Sequence, residues 1–456
     1  MKNGPQFYFA ILTMALSLSF FTSCSDENPG IQPESGTVVK TRAESESGAL
    51  TSKQFIVNEA LVKKLAMRID NEGRFFIPNQ SKQERGIASI HKIDDEGGLP
   101  VLYIVNYTEN GFAVFSGDIR FTPLCAYIEQ GLYEKIAVPS GLVDWFDATA
   151  TLIQSIRNGT SLPEPDVFKN WEEALASTGQ EPLIANSNCC PICPNYPDCL
   201  KDSSIGCGEP DIICPPGGDG SGDGSSSGSD DVDPCGPIAT TTRGPLLTTT
   251  WGQQCTYNEN CPLLGCNACY SNTRALTGCV ATAISQVLRY WEHPNQYLYQ
   301  YYTMPDDHGD REVQRMMRDV GNSVSMNYGC TSSGATGSSI PRSFKNTFAF
   351  GNASRKSYQP ADHVTIMQNI NQEMPVVLDG CQTINKVFGF FTTFDKCHAW
   401  VCDGYQINRN KCINNLKLHM NWGWDGYYNG WFHYQTWSGA GTGFPYSQNM
   451  TYNIAP

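Results

Sequence analysis

Apolar side chains recur at Val57, Leu61, Leu65 and Ile69, a spacing that predicts the buried face of a helix. The period then changes: Leu102 to Tyr107 and Phe112 to Phe115 are strand-like runs on either side of a polar break at Thr108 to Gly111, which predicts a hairpin. Helical spacing returns from Leu142 to Ile156, so the stretch from Phe55 to about Ser177 reads as a small α+β unit. Its one histidine, His91, has no cysteine near it in sequence, and no chemistry is visible there.

A second patterned region begins near Cys235. Gly278-Cys279 is followed by Val280, Ala283, Ile284, Val287, Leu288 and Trp291, a one-faced helical stripe that ends at His293-Pro294. That places Cys279 at a helix N-terminus, where unpaired N–H groups and the helix dipole favour thiolate over thiol. Taken alone, the segment favours a packed or disulfide-bonded cysteine over a catalytic one. A nucleophilic cysteine needs a base and a group to orient that base. His398 opens a strand-like run to Tyr405, and Leu416 to Trp422 returns after a polar loop. A hairpin centred near Asn410 would bring His398 opposite Asn421 and Trp422, where a side-chain amide could fix the imidazole tautomer. His419 and His293 are competing bases.

Between the two patterned regions, residues 189–214 are dense in cysteine and proline, and residues 215–234 are almost wholly Gly, Ser and Asp. The latter cannot bury enough apolar surface to order itself and reads as a linker. The cysteine cluster suits a small disulfide knot better than a zinc knuckle, because no second Cys-x-x-Cys follows Cys190-Pro-Ile-Cys193 at the usual separation. At the start of the chain, Lys2, the apolar run Phe7 to Phe21 and Thr22-Ser23-Cys24 predict an export signal too short for a comfortable membrane span. A small residue before a cysteine resembles a bacterial lipoprotein cleavage site, which would make Cys24 a lipid-anchored first residue. The polar stretch after it reads as a tether.

The chain has 456 residues, room for two domains plus linkers, and a net charge of −14 with no clustered basic face, which excludes nucleic acid as a partner. Nineteen cysteines in an exported chain point to disulfides. Setting aside Cys24 and Cys279 leaves an odd number, so at least one more thiol stays free, and Cys125 is the candidate.

Five segments, in order, resemble the streptopain family of cysteine peptidases, whose catalytic domain is papain-like. They are Trp251-Gly252-Gln253, Thr277 to Ala283, Asp319-Val320-Gly321 through the Tyr328 to Ser339 loop, His398-Ala399 through Asp403-Gly404, and Asn421-Trp422-Gly423-Trp424. The resemblance implies Cys279 as nucleophile, His398 as proton acceptor, Asn421 orienting His398, and Gln253 donating to the oxyanion hole. It also implies that Trp422 shields the His398 hydrogen bond, and that Ser333, Ala335 and Cys397 line a substrate cleft. Cleavage after an apolar side chain two residues upstream of the cut, with no metal or cofactor, is implied as well. Two departures stand out: Cys397 replaces a glycine before the histidine, so it narrows the cleft or pairs with another cysteine, and Asp425 replaces a frequent glycine. Cys266-Asn-Ala-Cys269, in an insertion between Gln253 and Cys279, suits disulfides better than a metal.

Leu102 to Asn106, Gly111 to Phe115 and Ser116-Gly117-Asp118 resemble the propeptide of the same family. The expected organisation is therefore a signal (1–23), a tether (24–48), a propeptide domain acting as intramolecular inhibitor (49–187), a linker (188–243) and an α+β papain-like catalytic domain (244–456). Cleavage of the linker, with Arg243-Gly244 a candidate bond, would activate a peptidase acting on proteins or peptides at the outer membrane or cell surface and would free the catalytic domain. The alternative is a surface-anchored binding protein that keeps the fold without turnover.

Overall fold

Asn58 opens the first helix, α1 (Glu59–Met67), by accepting the Leu61 N–H at 2.9 Å. Four strands follow as an antiparallel meander: β1 (Ile87–Asp94), β2 (Pro100–Tyr107), β3 (Phe112–Ser116) and β4 (Leu124–Ile128). They precede α2 (Ser140–Arg157) and α3 (Val167–Ala176). The expected helices and hairpin form where the apolar spacing places them. β2 is buried on both faces: Leu102 and Ile104 pack with Trp145 and Phe146 of α2, while Tyr103, Val105 and Tyr107 pack with Leu61 and Leu65 of α1. Arg157, at the end of α2, is 4% exposed and ties the helix to the meander through Asp118 at 2.8 Å and Asp95 at 2.9 Å.

The computed structural model describes residues 55–76, 83–134, 140–179, 239–434 and 446–456, apart from short breaks within those spans, and residues 50–456 form one compact unit. The expected export signal, Cys24, the tether, the cysteine cluster 189–214 and the linker 215–234 lie outside the described residues.

After the linker come β5 (Ala239–Arg243), α4 (Cys279–Trp291), α5 (Arg311–Ser323), β6 (Asn352–Ser357) and α6 (His363–Asn371). The chain ends with β7 (Val376–Val387), β8 (Phe391–Arg409), β9 (Asn414–Asn421), β10 (Gly430–His433) and β11 (Tyr446–Ala455). The strands join in the order β1-β2-β3-β4-β10-β9-β8-β7-β11-β6, with β5 on the far end of β8. The N-terminal meander therefore continues the C-terminal sheet through β4 and β10, where Ile128 pairs with Gly430 and Ala126 with Phe432. Side chains reinforce this seam: Gln406 donates to the Glu72 carbonyl and buried Lys417 to the Gly73 carbonyl, both at 3.1 Å. One face of the C-terminal sheet carries α4 and α5 over Val377, Ala399 and Val401. The other is buried with α2 over Trp400, Trp422 and Phe432.

Arg243 is paired with Tyr405 at the end of β5. By strand pairing, the C-terminal half already includes residues 239–243, and cutting at Arg243-Gly244 requires β5 to leave β8.

Candidate active site

Cys279 is the first residue of α4, a helix whose following positions Val280 to Leu288 are all buried. Gly278 before it has φ +92°, and a Cβ there would lie 2.8 Å from both Met326 Sδ and the Ser333 carbonyl oxygen, so glycine is needed to bring the helix start this close to the 326–334 loop. The Cys279 side chain is half-buried and in no disulfide. Burial pushes its thiol pKa up; N–H groups of Ala399 and Val280 pull it down, and Asp379 pushes it up.

His398 lies on β8, next to Ala399, which packs in the same apolar cluster as Cys279. Its Nε2 lies 2.9 Å from the Trp422 main-chain oxygen. A carbonyl only accepts, so Nε2 carries the proton and Nδ1 is the basic nitrogen. The ring stacks on Trp424 at 4.9 Å between centroids and on Trp400 at 5.9 Å, while Trp422 is 4.9 Å from Trp400 and 5.4 Å from Trp424. Burial among these indoles lowers the His398 pKa to about 4, which the Trp422 carbonyl opposes. In this form of the protein both groups are pushed towards neutrality, and each becomes easier to charge as its partner charges.

The register of the β8–β9 hairpin differs from the one expected. Val401, not His398, stands opposite Asn421, because the turn is centred beyond Asn410 and an irregularity at Cys402–Gly404 shifts the pairing. Asn421 consequently does not orient His398. Its Nδ2 donates to the Thr249 carbonyl at 2.7 Å and to Gln286 Oε1 at 3.3 Å, and Gln286 Nε2 donates to Asn421 Oδ1 at 3.2 Å. This buried amide pair clamps α4 to the end of β9, and Asn421 Oδ1 also accepts the Gly423 N–H at 3.3 Å. The group that fixes the imidazole is the main chain of the next residue. Residue type gives no sign of that role; only the Asn-Trp-Gly-Trp run marks the neighbourhood.

Among the remaining expected residues, Gln253 Nε2 lies 3.4 Å from the Gly423 carbonyl, and its own carbonyl accepts the Thr277 N–H at 3.0 Å, two residues before Cys279. Ala335 is half-buried against the Cys279 cluster. Ser333 is buried and its hydroxyl turns inward, donating to the Leu276 carbonyl at 2.8 Å, so its side chain pins the loop instead of lining a cleft. Cys397 is exposed and forms a disulfide with Cys381, its cross-strand partner on β7. Cys266 and Cys269 are both in disulfides, with Cys330 and Cys255 respectively, and the first of these fastens the insertion to the 327–334 loop. Cys125 is a free buried thiol, as are Cys261 and Cys402. The competing bases lie elsewhere: His419 is buried against Asp403 at 2.6 Å, and His293 meets the Ala349 carbonyl at 3.2 Å. Among the described residues no cluster of three or more His, Cys, Asp or Glu side chains could hold a metal, and no helix is long and apolar enough to cross a membrane.

A half-exposed cysteine at a buried helix N-terminus, facing a strand that carries a tautomer-fixed histidine, is the arrangement of a papain-like thiol site. The Peptidase C10 family signature matches residues 251–310 and 298–432, covering α4, the 327–338 loop, β8 and β9. The C-terminal region is similar to the peptidase C10 family. A second signature, that of the Spi protease inhibitor, matches residues 53–153, the N-terminal meander with most of its helices. Streptopain of Streptococcus pyogenes is 30% identical over 230 residues, 40% of this chain and 53% of that protein. The thiol protease/hemagglutinin PrtT of Porphyromonas gingivalis is 28% identical over 224 residues, covering 41% of this chain and 23% of that one. The chain thus spans about half the length of the streptopains it matches. A solved fragment of prointerpain A from Prevotella intermedia aligns with 81% of this chain and 99% of its own, at 19% identity and a TM-score of 0.49.

Proposed function

We propose that the protein is an exported cysteine endopeptidase made as a zymogen. The observation that carries this is that Cys279 starts α4 against β8, the strand that carries His398, whose Nε2–H is held by the Trp422 carbonyl. With Nε2 protonated, Nδ1 accepts the thiol proton, and the thiolate attacks a peptide carbonyl carbon. The Gln253 amide and the N–H of Cys279 hold the resulting oxyanion. As the tetrahedral intermediate collapses, the imidazolium returns the proton to the leaving amine, and a thioester to Cys279 remains. Water, deprotonated by His398, then hydrolyses that thioester and restores the thiol. The Trp400, Trp422 and Trp424 rings exclude water from one side of the imidazole.

The match of residues 53–153 to an inhibitor family, and the continuity of the meander with β10, support a propeptide that holds the enzyme latent. Export and a lipid anchor on Cys24 remain part of this proposal on the strength of the first 24 residues. The proposal covers proteins or peptides as substrates, with an apolar side chain two residues before the cut. The test is casein hydrolysis by the full chain after limited proteolysis, beside the Cys279→Ala variant treated in the same way. Hydrolysis by the first and none by the second is the expected outcome; equal hydrolysis by both, or none by either, sinks the assignment.

A further inference from the structure

The floor beside Cys279 holds a carboxylate that the mechanism above does not use. Asp379 lies within the sheet, on β7, opposite Ala399 of β8 and Asn449 of β11. Alternate residues of a strand share a face, and Val377, two positions away, packs into the apolar cluster that contains Ala399 and borders Cys279. Asp379 therefore points to the side of the sheet on which α4 begins. Its side chain is 15% exposed and is gripped by Arg355 of β6, with Oδ2 at 2.5 Å from Nη1 and Oδ1 at 2.8 Å from Nη2. Arg355 crosses β11 to make this pair and reaches Thr451 Oγ1 at 3.4 Å on the way.

The loop above fits the pair closely. A Cβ on Gly337 would come within 2.3 Å of Arg355 Nη2 and 2.6 Å of Asp379 Oδ1. The segment that carries Ala335 thus rests directly on the ion pair. Charged groups on elements packed around α4 are engaged elsewhere: on α5, Arg311 lies near Glu312, Arg315 pairs with Glu312, Asp319 with the Tyr299 hydroxyl, and Arg318 sits over the Tyr328 ring; after β9, Asp425 pairs with Tyr257. On β8 the facing group is His398 itself.

We infer that Arg355 and Asp379 are positioning residues for the nucleophile: Arg355 cancels a carboxylate that would otherwise oppose the Cys279 thiolate, and the pair supports the 327–338 loop at the cleft. This rests on the reading of Cys279 as nucleophile. Asp379 is among the groups that raise the Cys279 thiol pKa, behind burial, and burial raises the pKa of Asp379 itself while Arg355 opposes that. A bidentate guanidinium is the side chain that keeps such a buried acid ionised and screened at once.

The test measures alkylation of Cys279 by iodoacetamide in the full chain, by mass spectrometry of the Cys279 peptide, from pH 6 to pH 10. That midpoint reports thiol ionisation whether or not the protein cleaves peptides, so failure here is distinct from failure of the peptidase assignment. Arg355→Met leaves the acid unscreened and should move the midpoint up by about one pH unit, whereas Asp379→Asn leaves the guanidinium unopposed and should move it down by a similar amount. The double variant should fall between them, and Arg355→Lys close to the parent. Two single variants that shift the midpoint the same way would overturn the inference, because lost packing has no sign. Should Arg355→Met not fold, Asp379→Asn decides alone: a lowered midpoint supports the inference, and an unchanged or raised one refutes it.

Discussion

His398 depends on a main-chain oxygen for its tautomer, so no single side-chain deletion removes that hydrogen bond. Asn421 acts one step away. Its amide fills the Thr249 carbonyl and Gln286, and its oxygen holds the Gly423 N–H that follows Trp422. Asn421→Ala removes a partner from the Thr249 carbonyl, from Gln286 Nε2 and from the Gly423 N–H, while Gln286 Oε1 keeps Thr249 Oγ1 and the Trp251 N–H, and the expected cost is about 3 kcal/mol of stability, read from urea unfolding. Activity falls with it, through misplacement of the Trp422 carbonyl. Were Asn421 instead bonded to the imidazole, the variant would lose activity with little change in unfolding. Lys417 gives a prediction of opposite character. Burial lowers its pKa to about 8, with Glu173 and Asp70 opposing. The native chain then holds fewer protons at this site than the unfolded chain between about pH 8 and 10.5, so this residue's contribution to stability rises with pH across that window and is lost as pH falls through about 8. Urea midpoints of the parent should therefore gain on those of Lys417→Met between pH 8 and pH 10. A constant difference between the two proteins would show that Lys417 titrates normally.

At the scale of elements, periodicity made α1, α2, α4 and the β2–β3 hairpin legible, because each buries one regular apolar face or alternates across a short turn. It failed where the outcome depends on one residue of register. The β8 and β9 runs were identifiable as a hairpin, yet the irregularity at Cys402–Gly404 and the later turn move the pairing and place Asn421 opposite Val401. Cysteine pairing was beyond reach for the same reason: Cys266 and Cys269 look like partners by spacing but bond Cys330 and Cys255. The cross-strand bridge Cys381–Cys397 closes 16 residues of sequence separation immediately before His398. Replacing both cysteines by alanine should cost about 3 kcal/mol in chain-entropy terms, measured by urea unfolding without reductant. Reductant raised just far enough to open this bridge, with the Cys255–Cys269 and Cys266–Cys330 bridges intact, should lower the parent's stability to that of the double variant. Identical unfolding of parent and double variant under oxidising conditions would contradict a supporting role for the bridge.

For the molecule as a whole, the decisive feature is that the inhibitor-like half and the peptidase-like half share one sheet through β4 and β10. Neither half announces this in its sequence, since strand order is set by long-range pairing that local pattern does not encode. The seam gives latency a physical basis: releasing the N-terminal half requires breaking backbone pairing and the contacts of Gln406 and Lys417 with Glu72 and Gly73. A cut within residues 215–234 leaves β5 on β8, whereas a cut at Arg243-Gly244 must first remove it. The measurement that tests the central claim most directly is the stoichiometry and site of labelling by a peptidyl epoxide inhibitor before and after activation. The account predicts one adduct per chain, on Cys279 alone, formed quickly only after the propeptide has gone and in step with loss of casein hydrolysis. Full loss of hydrolysis with Cys279 unlabelled, or an adduct on another of the free cysteines, would contradict it.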